Sequence, residues 1–199
     1  MTLYCLDLEG ILIPEIWIAV SRRLGIKELA LTTRDIPNYG TLMRHRLKVL
    51  DRKKIRLPQI QRVISRMRPL PGAKMFLKKL QAAGPVIILS DTFYEFAGPL
   101  MKQLDYPALF CNTLKVNRSG QIIGYKLRQT DGKRKAVLAF KKTGFRIKAV
   151  GDSYNDLAML KTAHQGILFN PPAQIRKSHP RYPIAKSHKS LLSFFLKNP

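Results

Sequence analysis

Acidic residues in this chain are few and grouped. The 199 residues include 36 Lys+Arg against 12 Asp+Glu, a formal charge of +24. Seven of the acids fall within three short windows, at positions 7–15, 91–95 and 152–156. Carboxylates that cluster in so basic a chain indicate a functional role for their negative charge. Their oxygens are suitable ligands for a divalent cation such as Mg²⁺. The sequence therefore predicts an acidic, metal-binding pocket within a basic protein.

The first window carries two carboxylates that could work in sequence. Asp7 and Glu9 follow a short apolar run and precede Gly10. An aspartate can attack phosphorus covalently, which divides one difficult displacement into two easier ones. A second carboxyl can protonate the leaving alkoxide and later deprotonate the water that releases phosphate. An isolated pair of this spacing is also typical of an ordinary turn after a strand.

Two further segments could bind phosphate. Ser90 and Asp91 end an apolar run and precede an amphipathic helix pattern that begins at Phe93. A hydroxyl beside free helix N–H groups suits a phosphate, although an ordinary helix cap has the same residues. Lys133 precedes a predicted helix and could neutralise a phosphoryl group and a carboxylate. A single lysine says little in so basic a chain, and Lys135 stays open as the alternative.

The window from Gly151 to Asp156 joins a predicted strand to a predicted helix. Asp152 could complete a Mg²⁺ shell with Asp7 and the backbone carbonyl of Glu9. Asp156, four residues further on, could hold the lysine and the loop in place. A capped turn is the plainer interpretation of this segment when it is taken alone.

Alternating elements would position these residues. Amphipathic helix patterns lie between apolar runs, which is typical of parallel βαβ units. Ligands bind beyond the carboxyl ends of such strands, so Asp7, Ser90 and Asp152 are expected to converge. The runs that predict strands are 2–6, 84–90, 147–152 and 166–169.

One segment interrupts the alternation. Residues 14–72 contain helical patterns only, which predicts a helical cap inserted after the first strand. The catalytic core would then comprise residues 1–13 plus 73–199. Within it, residues 113–128 predict a β-hairpin that turns at positions 117–120.

Composition excludes some classes of protein. With 45% hydrophobic residues the chain is globular rather than disordered, and no apolar run reaches the roughly 18–20 residues of a membrane span. The first residues lack a signal-peptide pattern, and Cys5 and Cys111 lie in apolar stretches where buried thiols are expected. These features predict a cytoplasmic protein. The basic charge attracts anions, but no nucleic-acid-binding motif accompanies it.

The four motifs, in this order, resemble those of the haloacid dehalogenase superfamily of phosphotransferases. Segments 6–10, 14–17, 89–96 and 151–156 are similar to its phosphoserine phosphatase branch, and in particular to the bifunctional phosphoserine phosphatase/homoserine phosphotransferase type. The resemblance covers essentially the whole chain. It implies an α/β fold with a Rossmann-like parallel sheet sandwiched by helices, Mg²⁺ as cofactor, and hydrolysis of O-phosphoserine through an aspartyl-phosphate. Homoserine is implied as a second phosphoryl acceptor.

The resemblance also implies a role for each matching position. Asp7 would be the nucleophile and Glu9 the general acid/base, while Asp7, Glu9 and Asp152 would bind Mg²⁺ with Asp156 in support. Glu15 and Arg46 would grip the ammonium and carboxylate of the substrate. On spacing alone, Glu15 is an ordinary helix-start acid and Arg46 belongs to a solvated basic face. The residues implied to contact substrate are Glu15, Arg46, Ser90, Asp91, Lys133 and Asn155.

Two other functions are compatible with the sequence. A phosphatase of the same fold could act on another phosphorylated metabolite or on a nucleic-acid end, with the positive charge attracting the polyanion. A non-catalytic, basic nucleic-acid-binding protein is the alternative from another class. Neither the motifs nor the composition defines the oligomeric state, and a homodimer is compatible with both.

Glu9 stands where the superfamily pair usually has a second aspartate, and its side chain is longer by one methylene. We hypothesise that this shift makes activation of water less favourable, so that the hydroxyl of homoserine more often captures the phosphoryl group. Glu9→Asp is then expected to lower the ratio of homoserine phosphate to free phosphate formed from phosphoserine. An unchanged ratio, measured by separating the two products, would refute the hypothesis.

Overall fold

A computed structural model describes residues 1–33, 35–36 and 38–197. The strands found among these residues are β1 (Thr2–Leu6), β2 (Val86–Phe93), β3 (Ala108–Val116), β4 (Ile122–Lys126), β5 (Arg146–Gly151), β6 (Gln165–Phe169) and β7 (Ile184–Ala185). They form one sheet in the order β4-β3-β2-β1-β5-β6-β7. Neighbouring strands are parallel, apart from the antiparallel pair β3–β4. The sheet is therefore the mostly parallel one that the alternating pattern predicts.

Helices cover both faces of this sheet. They are α1 (Ile16–Leu24), α2 (Tyr39–Arg52), α3 (Leu57–Ile64), α4 (Ala73–Ala83), α5 (Tyr94–Gln103), α6 (Gly132–Lys142), α7 (Leu157–Thr162), α8 (Ala173–Ser178) and α9 (His188–Leu196). The predicted α/β class is confirmed, as are the helical insertion after β1 and the β-hairpin. Within the described part of the chain, no helix combines the length and the apolar character that crossing a membrane requires.

The central strand shows why the fold has two apolar layers. Side chains alternate across a strand, and a parallel strand covered on both faces is apolar throughout. Leu3 and Cys5 pack into one cluster, beneath α6 and α7. Tyr4 and Leu6 pack into the other, with α4, α5 and the inserted helices. Cys5 and Cys111 are free and buried, as predicted.

Two predicted boundaries are wrong, and both concern candidate site residues. The second strand does not end at Ser90, because β2 continues in extended conformation to Phe93 with a register shift against β3. The side-chain amide of Asn112 donates to the carbonyl of Asp91 at 3.0 Å and holds this irregular stretch. Ser90 and Asp91 therefore precede α5 by a short extended segment and do not sit at its N-terminus. Likewise, α6 begins before Lys133, which lies in its first turn.

The inserted helices are held against the core at separate places. Trp17 of α1 packs edge-on against Phe96 of α5, with ring centroids 5.4 Å apart. The hairpin turn, at residues 117–120 as predicted, accepts a 2.8 Å hydrogen bond from the backbone N–H of Leu57 to the carbonyl of Gly120. These contacts place the helical insertion over the carboxyl ends of the central strands, where it closes one side of a cavity.

Candidate active site

A cavity of about 640 Å³ lies between the carboxyl ends of β1, β2 and β5 and the inserted helices. It gathers residues that are up to 148 positions apart in the chain, and its walls come from both the core and the insertion. Of the ten predicted site residues, Asp156 does not line the cavity, because it is fully buried and contacts Lys133. The nine that line the cavity are Asp7, Glu9, Glu15, Arg46, Ser90, Asp91, Lys133, Asp152 and Asn155.

Lys133 is the cation at the centre of the acidic cluster. Its Nζ lies 2.8 Å from Asp7 Oδ1, 2.7 Å from Asp156 Oδ1 and 3.6 Å from Asp91 Oδ2. Burial by itself lowers the pKa of Lys133, but the three carboxylates outweigh it and hold the pKa well above its ordinary value. The ammonium therefore stays charged. Lys135, the alternative, instead donates to the Thr130 hydroxyl at 3.2 Å.

Asp7 is oriented by three hydrogen bonds. Its backbone N–H donates to the carbonyl of Val150 at 3.0 Å, which joins the end of β1 to β5. Its carboxylate accepts from the backbone N–H of Leu8 at 2.8 Å and from Lys133, in both cases through Oδ1. These bonds leave Oδ2 as the candidate nucleophilic oxygen. Burial, followed by the charge of Asp156, raises the pKa of Asp7 well above its usual range, while Lys133 opposes the shift.

Three carboxylates could hold a metal ion here. Asp7, Asp152 and Asp156 each offer an oxygen, and these oxygens lie within 4.8 Å of one another. Burial and the nearby charges of Asp156 and Glu15 raise the pKa of Asp152 to about 7. Hard oxygen donors that repel each other at this spacing fit Mg²⁺, and a bound cation would favour their ionised forms.

Asp156 already has partners within the protein. Its Oδ2 accepts from the backbone N–H groups of Asp152 and Ser153, each at 3.1 Å, and its Oδ1 accepts from Lys133. These bonds fix the loop that carries Asp152. Asp7 and Asp152 are consequently the better candidates for direct metal ligands, and Asp156 orients both the loop and the lysine.

Two glycines permit the close packing of the acidic cluster. Gly10 has φ +77°, and a Cβ at this position would lie 2.4 Å from Oδ2 of Asp152. A Cβ on Gly151 would lie 2.2 Å from Cβ of Asp156. Side chains at either position would displace a carboxylate, so both glycines are required by contact, and Gly10 is required by backbone conformation as well.

Glu9 lies in a different environment from Asp7. Its Oε2 accepts from the backbone N–H of Ile16 at 2.8 Å, and its side chain is hydrogen-bonded to that of Glu15. Burial, and then the charge of Glu15, raises the pKa of Glu9 to about 8, although Arg46 opposes the shift. Glu9 therefore holds a proton at neutral pH and faces the same cavity as Asp7, which is the arrangement that a general acid needs.

Arg46 is buried, at 6% exposure, which excludes the alternative of a solvated helix face. Its guanidinium stacks 4.5 Å from the centroid of Trp17 and donates to the carbonyl of Leu31 at 2.8 Å. Its Nε is buried and has no hydrogen-bond partner among the described residues. A buried donor without a partner costs about 1–3 kcal/mol, so an anionic group in the cavity would relieve it. Burial lowers the pKa of Arg46 to about 10.

Ser90, Asp91 and Asn155 share one wall of the cavity. Asn155 donates from Nδ2 to Asp91 Oδ2 at 2.8 Å, and Ser90 Oγ accepts from the backbone N–H of Thr92 at 3.2 Å. Asp91 is thus tied to both Asn155 and Lys133. Its carboxylate is 43% exposed, which makes it the most accessible of the acids around the lysine.

Two residues of this wall are absent from the sequence prediction. Tyr39 of α2 donates its hydroxyl to the carbonyl of Asp91 at 3.1 Å, and Asn112 of β3 donates to the same oxygen. Both line the cavity. Tyr39 belongs to the insertion and Asn112 to the core. The backbone carbonyl of Asp91 therefore accepts hydrogen bonds from both parts of the protein. A buried asparagine in a strand leaves no recognisable pattern in a single sequence, and neither does a tyrosine at the start of a helix.

Comparison with known proteins defines the class. The haloacid dehalogenase-like hydrolase family matches residues 20–164, and the chain belongs to this family. It is 49% identical over 197 residues to the phosphoserine phosphatase ThrH of Pseudomonas aeruginosa, covering 99% of this chain and 96% of that protein. It is also 49% identical over 193 residues to a phosphoserine phosphatase of Pseudomonas syringae, covering 97% of this chain and 81% of that protein.

Solved structures support the same fold. A phosphoserine phosphatase in its apo form superimposes with a TM-score of 0.79 at 22% identity, over 97% of this chain and 98% of that one. A substrate-bound phosphoserine phosphatase complex superimposes with a TM-score of 0.79 at 19% identity, over 97% of both chains.

Gly10→Ala tests whether close packing at Asp152 matters for the site. The new methyl would meet the Asp152 carboxylate, so Mg²⁺ affinity is expected to fall at least about 10-fold, with a stability cost of about 1–3 kcal/mol. Isothermal titration with Mg²⁺ and urea unfolding measure the two effects. Gly25→Ala is the matched control, because Gly25 also has positive φ but has no atom within 4 Å of the added Cβ. It should lose stability alone; equal Mg²⁺ affinities in the two variants would contradict the prediction.

Proposed function

We propose that this protein is a Mg²⁺-dependent phosphoserine phosphatase that works through an aspartyl-phosphate on Asp7. The observation that carries the proposal is the pairing of Asp7 with Lys133 at 2.8 Å, in a cavity that also contains the Glu9 carboxyl, whose pKa burial raises to about 8. Nucleophile, electrostatic partner and acid then surround one reacting centre. Two relatives of 49% identity that are named phosphoserine phosphatases support this choice of substrate.

In the first half of the reaction, Asp7 Oδ2 attacks phosphorus and the bond from phosphorus to the serine oxygen breaks. Glu9 donates its proton to that oxygen as serine leaves. Lys133 and the Ser90 hydroxyl hold the oxygens of the phosphoryl group, with Asp91 and Asn155 beside them. Asp7 and Asp152, with the backbone carbonyl of Glu9, would hold Mg²⁺, which would supply neutralisation of negative charge at the site.

In the second half, Glu9 is a carboxylate and takes a proton from water. The oxygen of that water attacks phosphorus, the bond from phosphorus to Asp7 breaks, and inorganic phosphate leaves. Glu9 is again protonated and Asp7 is again a free carboxylate, so the cycle closes. Homoserine can replace water in this half, with its hydroxyl as the attacking group, and homoserine phosphate is then the product.

Substrate selection is assigned to the insertion. We propose that residues 14–72 act as a cap on the core, with Glu15 binding the ammonium group and Arg46 binding the carboxylate of phosphoserine. The burial of Arg46 and its unpartnered Nε support an anionic partner. The cap would also limit the access of water during the first step. A cytoplasmic location stays a prediction, and the sequence stays compatible with a homodimer without defining the oligomeric state.

The direct test measures phosphate release from phosphoserine and from a panel of phosphorylated metabolites and nucleic-acid ends. Phosphoserine is expected to give the highest kcat/KM, EDTA to abolish turnover, and added Mg²⁺ to restore it. Asp7→Asn removes the nucleophile and is expected to lower kcat at least about 10³-fold. Activity that survives both treatments would reject the mechanism. A higher kcat/KM for another phosphate ester would mean that the same mechanism acts on that substrate. Salt-dependent binding of nucleic acid without turnover would favour the alternative of a non-catalytic nucleic-acid-binding protein.

The pKa of Glu9 sets the expected pH dependence. A general acid donates when protonated, so its contribution is complete below a pKa of about 8 and is lost as the pH rises through that value. We expect kcat/KM for phosphoserine to fall about 10-fold per pH unit above about 8. p-Nitrophenyl phosphate is the matched control, because its leaving group needs no proton and its kcat/KM should lack this limb. The same falling limb with both substrates would show that another group titrates.

A further inference from the structure

His188 lies far along the chain from the catalytic motifs and outside the segment that the family matches. It is the first residue of α9. Its Nε2 lies 2.7 Å from the carbonyl oxygen of Ile11, and its Nδ1 lies 3.0 Å from the carbonyl oxygen of Pro71. Ile11 belongs to the segment that leads into the inserted helices, and Pro71 belongs to the segment that leads out. We call these two connecting segments the first crossing (residues 8–13) and the second crossing (residues 68–72). The side chain of His188 therefore contacts both crossings.

The two crossings also bind each other next to His188. The backbone N–H of Leu70 donates to the carbonyl of Leu12 at 2.9 Å. Gly72 follows with φ +83°, and a Cβ at this position would lie 3.4 Å from Nδ1 of His188. The imidazole thus fits closely against the second crossing. The chain connects the insertion to the core through these two crossings, so a rotation of the insertion relative to the core would disturb these contacts.

His188 is carried on a fixed support. Its ring packs against Phe76 of α4 and Phe169 of β6, with centroid distances of 5.4 Å and 5.0 Å. At the other end of α9, the buried Lys148 donates to the carbonyls of Phe195 at 2.8 Å and Lys197 at 3.1 Å. Both ends of α9 therefore contact the core, and His188 links this fixed helix to the two crossings.

We propose that His188 is a positioning residue that clasps the two crossings through its two ring nitrogens and so sets the angle of the inserted helices over the cavity. It touches neither the substrate nor the reacting atoms. When the clasp is lost, the insertion samples open orientations, and the fraction of molecules competent to bind phosphoserine falls. Apparent affinity decreases in proportion to that fraction, while the chemical step in the closed form is unchanged.

His188→Phe removes both hydrogen bonds and keeps an aromatic ring between Phe76 and Phe169. Hydrogen–deuterium exchange of peptides covering residues 8–13 and 68–72 is expected to rise at least about 10-fold in this variant. This measurement needs no activity, so it tests the clasp even if phosphoserine is not the substrate. His179→Phe is the matched control, since His179 is also half-buried and stacks on a tyrosine, Tyr182. Equal exchange in the two variants would overturn the proposal.

Steady-state kinetics provide the functional readout, and they rest on the proposed function. His188→Phe is expected to raise KM for phosphoserine about 10-fold and to change kcat less than about 2-fold. A fall in kcat at constant KM would overturn a positioning role. If His188→Phe does not fold, His188→Gln replaces it: its amide can donate to one carbonyl, so a smaller rise in exchange and in KM is expected.

Discussion

The buried ion group of Lys133, Asp7 and Asp156 is the interaction on which the site depends. Isolated charges are very costly to bury, and a group like this persists only when each charge has partners at hydrogen-bond distance. Its members come from the first turn of α6, the end of β1 and the loop after β5. The three elements therefore have to meet at one point, and that point is the floor of the cavity.

An excess of negative charge surrounds this ion group. Asp91 and Asp152 add two more carboxylates, and Lys133 is the cation that the structure places among them. Burial, and then the charge of Asp156, raises the pKa of Asp152 to about 7. A divalent cation would balance these charges, and an incoming phosphate dianion would require it. The protein as a whole carries a net charge of +24, which attracts anions.

The cavity exists because the insertion and the core meet over the strand ends. The carbonyl of Asp91 accepts hydrogen bonds from Tyr39 on the insertion and from Asn112 on the core. His188 contacts the carbonyl oxygens of Ile11 and Pro71, one on each crossing. Core and insertion are thus joined beside the cavity and again at the two segments that connect them. The glycines at positions 10 and 151 let the side chains of Asp152 and Asp156 pack closely.

The sequence by itself determined the fold class and the convergence of Asp7, Ser90 and Asp152, because apolar periodicity and the geometry of parallel sheets can be recognised from the order of residues along the chain. The placement of Glu15, Arg46 and Asn155 at the same site was implied only by the resemblance to a known family. Only the tertiary structure distinguished Lys133 from Lys135, since the direction of a side chain depends on where its helix begins. The burial of Arg46, the extension of β2 to Phe93, and the contacts of Tyr39, Asn112 and His188 likewise depend on partners tens of residues away. Such contacts are determined by how helices and strands pack against each other, and the sequence pattern of a single element does not predict them.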